Sequence, residues 1–141
     1  MGHTYRMPEP YLVGREKLRE FAQAVGATHP ACFEIAAARA LGYPDVVAAP
    51  TFAAVVAQRV EALYLEDPAA GIDFSRVVHA EEAITQTRPI VAGDELAGEL
   101  TVEAVVPRRG LTTVTTLVRL VDRDGRPVGE VRSTLAVRGD D

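Results

Sequence analysis

The stretch PTFAAVVAQRVEALY, residues 50–64, decides the fold. Proline is welcome in the first turn of a helix, where its missing N–H would have no helical partner anyway. From Phe52 onward, Val55, Val56, Val60, Leu63 and Tyr64 recur at the i, i+3, i+4 spacing that builds one apolar helix face. Gln58, Arg59 and Glu61 fall on the more polar side. The spacing predicts a helix that opens within two residues of Thr51, and the Asp67-Pro68 pair closes it. So wide an apolar face needs another layer to cover it.

The rest of the chain supplies that layer. From Phe74 the apolar period changes to two. Val77 to Thr87 reads as a strand, and Gly93-Asp94 as a turn. In Leu96 to Val106, Leu96, Leu100, Val102 and Ala104 fall on one face and Glu99, Thr101 and Glu103 on the other. Leu111 to Val121 is rich in Thr and Val, Asp124-Gly125 signals a hairpin, and Val128 to Arg138 returns as its partner. Before residue 50, Tyr11-Leu12-Val13 reads as a short strand. Arg15 to Val25 reads as a helix with Leu18, Phe21, Ala22 and Val25 on one face and Gly26 ending it, and a shorter helix runs from Phe33 to Leu41. The expectation is one α+β domain over 1–141, with a strongly bent antiparallel sheet wrapped around a long central helix, which is the hotdog arrangement. No internal repeat or linker interrupts it.

Composition excludes several functions. The 141 residues are 48% hydrophobic and 25% charged, with a net charge of −5 and both signs interspersed. No basic face stands ready to neutralise phosphates, so nucleic acid is not the expected partner. A single cysteine, Cys32, forbids an intramolecular disulfide and fits a reducing, cytoplasmic location. The most apolar run, residues 46–57, contains Pro50 and ends in Gln58-Arg59, far short of a membrane span. No His, Cys, Asp or Glu grouping has metal-ligand spacing and no glycine-rich phosphate loop occurs, so neither metal nor cofactor is expected.

Three segments carry a family resemblance. Tyr11-Leu12-Val13-Gly14-Arg15-Glu16-Lys17-Leu18-Arg19-Glu20-Phe21-Ala22, Ala48-Ala49-Pro50-Thr51-Phe52 and Arg88-Pro89-Ile90-Val91-Ala92-Gly93-Asp94-Glu95-Leu96 stand in the order and spacing of one family. They resemble the MaoC-like hotdog dehydratases and hydratases of acyl thioesters, in the FAS1-like subtype that is paired with a MaoC-like partner. The resemblance spans residues 5 to about 137. Catalytic members read Gly-Asp-x-Asn-Pro-x-His, then an acidic residue, an Ala and a Gly-aromatic pair. Registered on Gly42-Tyr43, this chain has Gly26, Pro30, Glu34 and Ala38 at the matching offsets. The Asp position holds Ala27, the Asn position His29 and the catalytic His position Cys32.

That departure has a chemical meaning. Moving water across the α,β-bond of an acyl thioester requires one group to handle the α-proton and another to handle the β-oxygen. Alanine does neither, and a neutral thiol is a weak donor that needs an electropositive site to ionise. The resemblance implies a second device, an oxyanion site at the N-terminus of the central helix. It falls on Pro50, Thr51 and Phe52, which are thereby the substrate-binding candidates. His29 as a displaced base, Cys32 as a nucleophile and Glu34 as a thioesterase carboxylate are the candidate catalytic residues. Each has a plainer reading, as a hydrogen-bonded loop residue, a packing thiol and a polar residue on a short helix. His79, beside Ala80-Glu81, is read as part of strand alternation.

The implied role is a non-catalytic subunit of a (3R)-hydroxyacyl-thioester dehydratase, binding an acyl chain on acyl carrier protein or CoA. Its partner is a MaoC-like catalytic subunit, and alone it is expected to form a homodimer. The alternatives are a self-sufficient hydratase or thioesterase and an acyl-binding protein without chemistry.

Overall fold

The computed structural model describes residues 4–139. In chain order it contains β1 (Thr4–Arg6), β2 (Tyr11–Leu12), α1 (Arg15–Ala24), α2 (Ile35–Ala40), α3 (Phe52–Leu65), β3 (Val77–Gln86), β4 (Glu95–Arg108), β5 (Leu111–Val121) and β6 (Pro127–Arg138), with single 3₁₀ turns at Pro30–Cys32, Pro68–Ala70 and Phe74–Arg76. The six strands form an antiparallel sheet in the order β1-β4-β5-β6-β3, with β2 also pairing β4, and the sheet is not closed into a barrel. Strand β1 was not read from the sequence. Its three residues are too few to show a period, and its pairing with β4 joins Thr4 to Thr101 across most of the chain.

Helix α3 begins at Phe52, as the punctuation at Pro50-Thr51 predicts, but its buried face is turned relative to the expected stripe. Phe52, Ala53, Val56, Ala57, Val60, Glu61, Tyr64 and Leu65 are buried, whereas Val55 and Leu63 are only half-buried. Small side chains explain the turn. Ala53 and Ala57 let the helix axis approach the sheet, so the row containing them faces inward and carries Glu61 with it. Glu61, assigned above to the polar side, is 2% exposed.

The sheet meets this close approach with a glycine. A Cβ built on Gly98 of β4 would lie 2.7 Å from Val60 Cγ2, with Leu120 and the Met7 sulfur also within contact. Gly98→Ala is therefore an overpacking substitution at the helix–sheet contact. We expect it to destabilise the fold by about 1–3 kcal/mol, as a lowered midpoint in urea unfolding with an unchanged slope. An unchanged midpoint would show that α3 can recede from β4 without cost.

The alternation expected in β4 holds through Val102. A register shift between Val102 and Ala104 then breaks it, and Val105 and Val106 beyond are exposed. The run Arg88 to Asp94 proves to be a clasp. Arg88 donates two hydrogen bonds to the Asp94 carboxylate, at 2.8 and 3.1 Å, and a longer one of 3.4 Å to Asp122 in the β5–β6 turn. Asp94 also accepts from the Val91 N–H, and Gly93 turns the chain at φ 97°, where a side chain would be strained. Among the described residues, no helix is long and apolar enough to cross a membrane.

Candidate functional site

The segment between α1 and α2 is built by local hydrogen bonds. Gly26, at φ 74°, ends α1, and the Ala27 N–H reaches back to Ala22 O at 2.9 Å. His29 then caps the following 3₁₀ turn, its Nδ1 accepting from the Ala31 N–H at 3.1 Å. The Val47 N–H donates to Ala31 O at 2.9 Å. That bond sets the 26–34 loop against the chain entering α3, so the two halves of the expected site are neighbours.

The loop's side chains are poor in chemistry. Ala27 is half-buried, and Cys32 is 7% exposed. Burial pushes the Cys32 thiol above its ordinary range, away from the thiolate that nucleophilic attack requires. His29 and Glu34 are both exposed, and Glu34 precedes α2 without capping it through its side chain.

At the head of α3, Pro50 and Thr51 are exposed, while the Phe52 ring is fully buried between the rings of Tyr11 and Phe21, with centroids 6.2 and 5.4 Å away. Pro50 has no N–H, and the Phe52 N–H is spent on Ala49 O at 2.9 Å. Of these three residues, Thr51 is the one whose N–H has no acceptor among the described hydrogen bonds. A helix N-terminus favours negative charge, so this donor is placed for a carbonyl oxygen, but as a single donor rather than a pair.

The other end of α3 borders an apolar cavity of about 240 Å³, lined by Tyr5, Tyr64, Ile72, Val102, Val114 and Val137. It lies roughly 18 Å along the helix from Phe52, at 1.5 Å per residue. The Tyr5 hydroxyl donates to Asp67 at 2.7 Å, which pushes its pKa up to about 12 and keeps it un-ionised. The Tyr5 ring thus adds one fixed, neutral hydroxyl to a lining that is otherwise mainly apolar. Neither this cavity nor a third feature, the contact of Glu61 with Ser133 and His79, was legible from sequence. The one available signal was a Thr and a Ser, Thr116 and Ser133, at inward positions flanked by the aliphatic Val114, Val118, Val131 and Leu135.

Comparison with known proteins agrees with this architecture. Residues 1–131 match the FAS1-like, dehydratase domain region. A UPF0336 protein of Clavibacter michiganensis is 54% identical over 140 residues, covering 99% of this chain and 94% of that protein. The C-terminally truncated HadBC (3R)-hydroxyacyl-ACP dehydratase complex of Mycobacterium tuberculosis contains a chain that superposes with a TM-score of 0.85 at 34% identity, covering 95% of this chain and 94% of that one. A MaoC-like dehydratase superposes with a TM-score of 0.91 at 36% identity, over all of this chain and 43% of that longer one. The bent sheet around α3, the loop beside its N-terminus and these matches along nearly the whole length agree: the chain belongs to the FAS1-like dehydratase family of hotdog proteins.

Proposed function

We propose that this chain is the acyl-binding, non-catalytic subunit of a (3R)-hydroxyacyl-thioester dehydratase or hydratase, active only beside a MaoC-like partner that carries the Asp–His pair. One observation carries the reading. Ala27 and Cys32 occupy the positions where the family motif places its acid–base groups, and Cys32 is a buried thiol held protonated by its surroundings. The remaining parts suit substrate binding. The Thr51 N–H stands at the head of α3, and the apolar cavity near Tyr64 supports assigning the far end of the acyl chain to that end of the helix. The Phe52 ring contributes packing that fixes the helix N-terminus. The thioester is carried by acyl carrier protein or CoA, and the cytoplasm, where such thioesters are made, is the working location.

The sheet offers a place for the partner. Among the described residues strand β3 ends the strand order with β6 as its one neighbour, which leaves its outer edge open to another strand. Alone, the chain uses that edge to form a homodimer, and with the catalytic subunit it forms a heterodimer.

Co-expression with a MaoC-like chain bearing an intact Asp-x-Asn-Pro-x-His motif tests the reading. Each chain alone and the purified pair are assayed for hydration of crotonyl thioester, with mass measured by light scattering. The pair should turn over on the order of 10 s⁻¹. This chain alone should be a dimer with activity near background, because each missing positioned acid–base group is worth about 10²–10⁴-fold. Turnover of about 10 s⁻¹ by this chain alone would instead make it a self-sufficient hydratase, with His29 the first base to substitute.

A further inference from the structure

Helix α3 carries one carboxylate into the core. Glu61 is 2% exposed, and its Oε1 accepts a hydrogen bond from Ser133 Oγ of β6 at 2.9 Å. Its Oε2 has no hydrogen bond and lies 3.5 Å from His79 Nε2 of β3. The other ring nitrogen of His79 is 3.8 Å from Glu82 Oε2. Thr116 of β5, paired opposite Ser133, is a second buried group whose hydroxyl has no partner. Buried polar groups without partners are uncommon, and a buried carboxylate is costly unless something shares its charge or its proton.

The strand is shaped to make this contact. Residues 79 and 82 differ by three, so in a regular strand they would lie on opposite faces. A bulge between His79 and Glu81 shifts the register, placing His79 opposite Leu135 and Glu82 opposite Ser133, both inward-facing positions of β6. Strand β3 is mostly exposed, the 36% exposed His79 side chain and Glu82 included, with Val78 57% exposed. Among the described residues this edge strand is held to the sheet by β6 alone, and the Glu61–His79 contact is its polar attachment to α3.

We propose that Glu61 and His79 form a one-proton latch that seats the edge strand β3 on the central helix and releases it as pH rises. With one proton between them the pair is neutral overall, whichever atom holds it. Removing that proton leaves a carboxylate beside a neutral imidazole, with only the Ser133 hydroxyl to solvate it and the Glu82 carboxylate nearby to repel it. Among the described residues the groups facing Glu61 are few. Strand β3 presents His79 and Glu82, β6 and β5 present the hydroxyls of Ser133 and Thr116, and β4 faces the helix with Leu96, Gly98, Leu100 and Val102. Strand β1 presents Tyr5, whose hydroxyl is committed to Asp67.

The direction follows from the environment. Burial pushes the Glu61 carboxyl above its ordinary value of 4.5, the Ser133 hydrogen bond and His79 pull it partly back, and Glu82 pushes it up again. A carboxyl raised in the folded state contributes stability that is complete below 4.5 and is lost as pH climbs through the raised value.

Hydrogen exchange of the β3 amides bonded to β6, in the full chain and normalised to the β4–β5 amides, tests the latch between pH 5 and 8.5. Opening that releases one proton should lower relative β3 protection by up to about tenfold per pH unit, levelling once the pair has lost its proton. Glu61→Gln, with no proton to lose, should abolish the slope and keep β3 protected at high pH. His79→Gln removes a group that draws the Glu61 carboxyl back toward its ordinary value, so it should move the slope to higher pH, and it supplies the reading should the Glu61→Gln variant fail to fold. A pH-independent ratio in wild type overturns the latch. So does a slope that persists in Glu61→Gln, one that stays at the same pH in His79→Gln, or a ratio that follows protein concentration and not pH.

Discussion

Introducing Ala27→Asp and Cys32→His together should raise the hydration rate of crotonyl thioester by the isolated chain at least about 100-fold over the unmodified protein. Either substitution alone should leave it at background. An Asp and a His that share one water act as a unit, so half of the pair performs neither the proton transfer at the α-carbon nor the one at the β-oxygen. The backbone is already fixed at both positions. The Ala27 N–H is held by Ala22 O, and the Cys32 N–H by His29 O at 3.0 Å. The restored rate should remain well below that of a complete enzyme, because Pro50 and the engaged Phe52 N–H leave Thr51 as the donor for the developing oxyanion. Steady-state assays of the four proteins decide the matter. A single variant as active as the double would show that the two positions never worked as a pair.

The second large effect is structural. Phe52→Ala should destabilise the protein by about 3–5 kcal/mol and lower the melting temperature by about 10 °C or more. The Phe52 ring is fully buried, its edge-to-face partners Tyr11 and Phe21 come from β2 and α1, and its backbone opens α3. Removing it therefore leaves a void where three elements meet, and that void cannot collapse without moving the helix. Thr51→Ala, one residue away, should change the melting temperature little, since Thr51 is exposed and its side chain caps nothing. Calorimetric melts of both variants check the contrast. Equal effects would mean that the loss arises from helix initiation rather than from packing.

These two neighbours show how much was legible in the sequence. The helix boundary came from local chemistry, with Pro50 just before the N-cap Thr51 and Asp67-Pro68 past the end, because such signals act on the backbone beside the residue that carries them. The antiparallel strands β4, β5 and β6 came from alternation and from turn residues for the same reason. The placing of Ala27 and Cys32 at the family's Asp and His positions belongs to the proposal, because it rests on the register taken from Gly42-Tyr43. What was missed depends on residues far apart in the chain. The inward turn of Glu61 goes with the buried row of Ala53 and Ala57 and with the close approach of Val60 to Gly98, and no window around residue 61 contains Gly98. His79 and Glu82 share a face because of a bulge, and a bulge is the one local event that inverts every inference drawn from a period of two. Strand β1 is fixed by a partner near residue 100 rather than by its own three residues.

The order of the strands also bears on how the protein is made. Strand β3 has β6 as its sheet neighbour, and β6 is the last described strand to leave the ribosome. At about 5–20 residues per second, β3 waits some seconds before its neighbour exists. During that interval an apolar strand would pair with whatever chain came near, including a second nascent copy. Strand β3 instead carries His79, Glu81, Glu82 and Gln86, spread over both faces. The polarity that limits its grip on the finished core keeps it solvated and uncommitted until the C-terminal strand arrives.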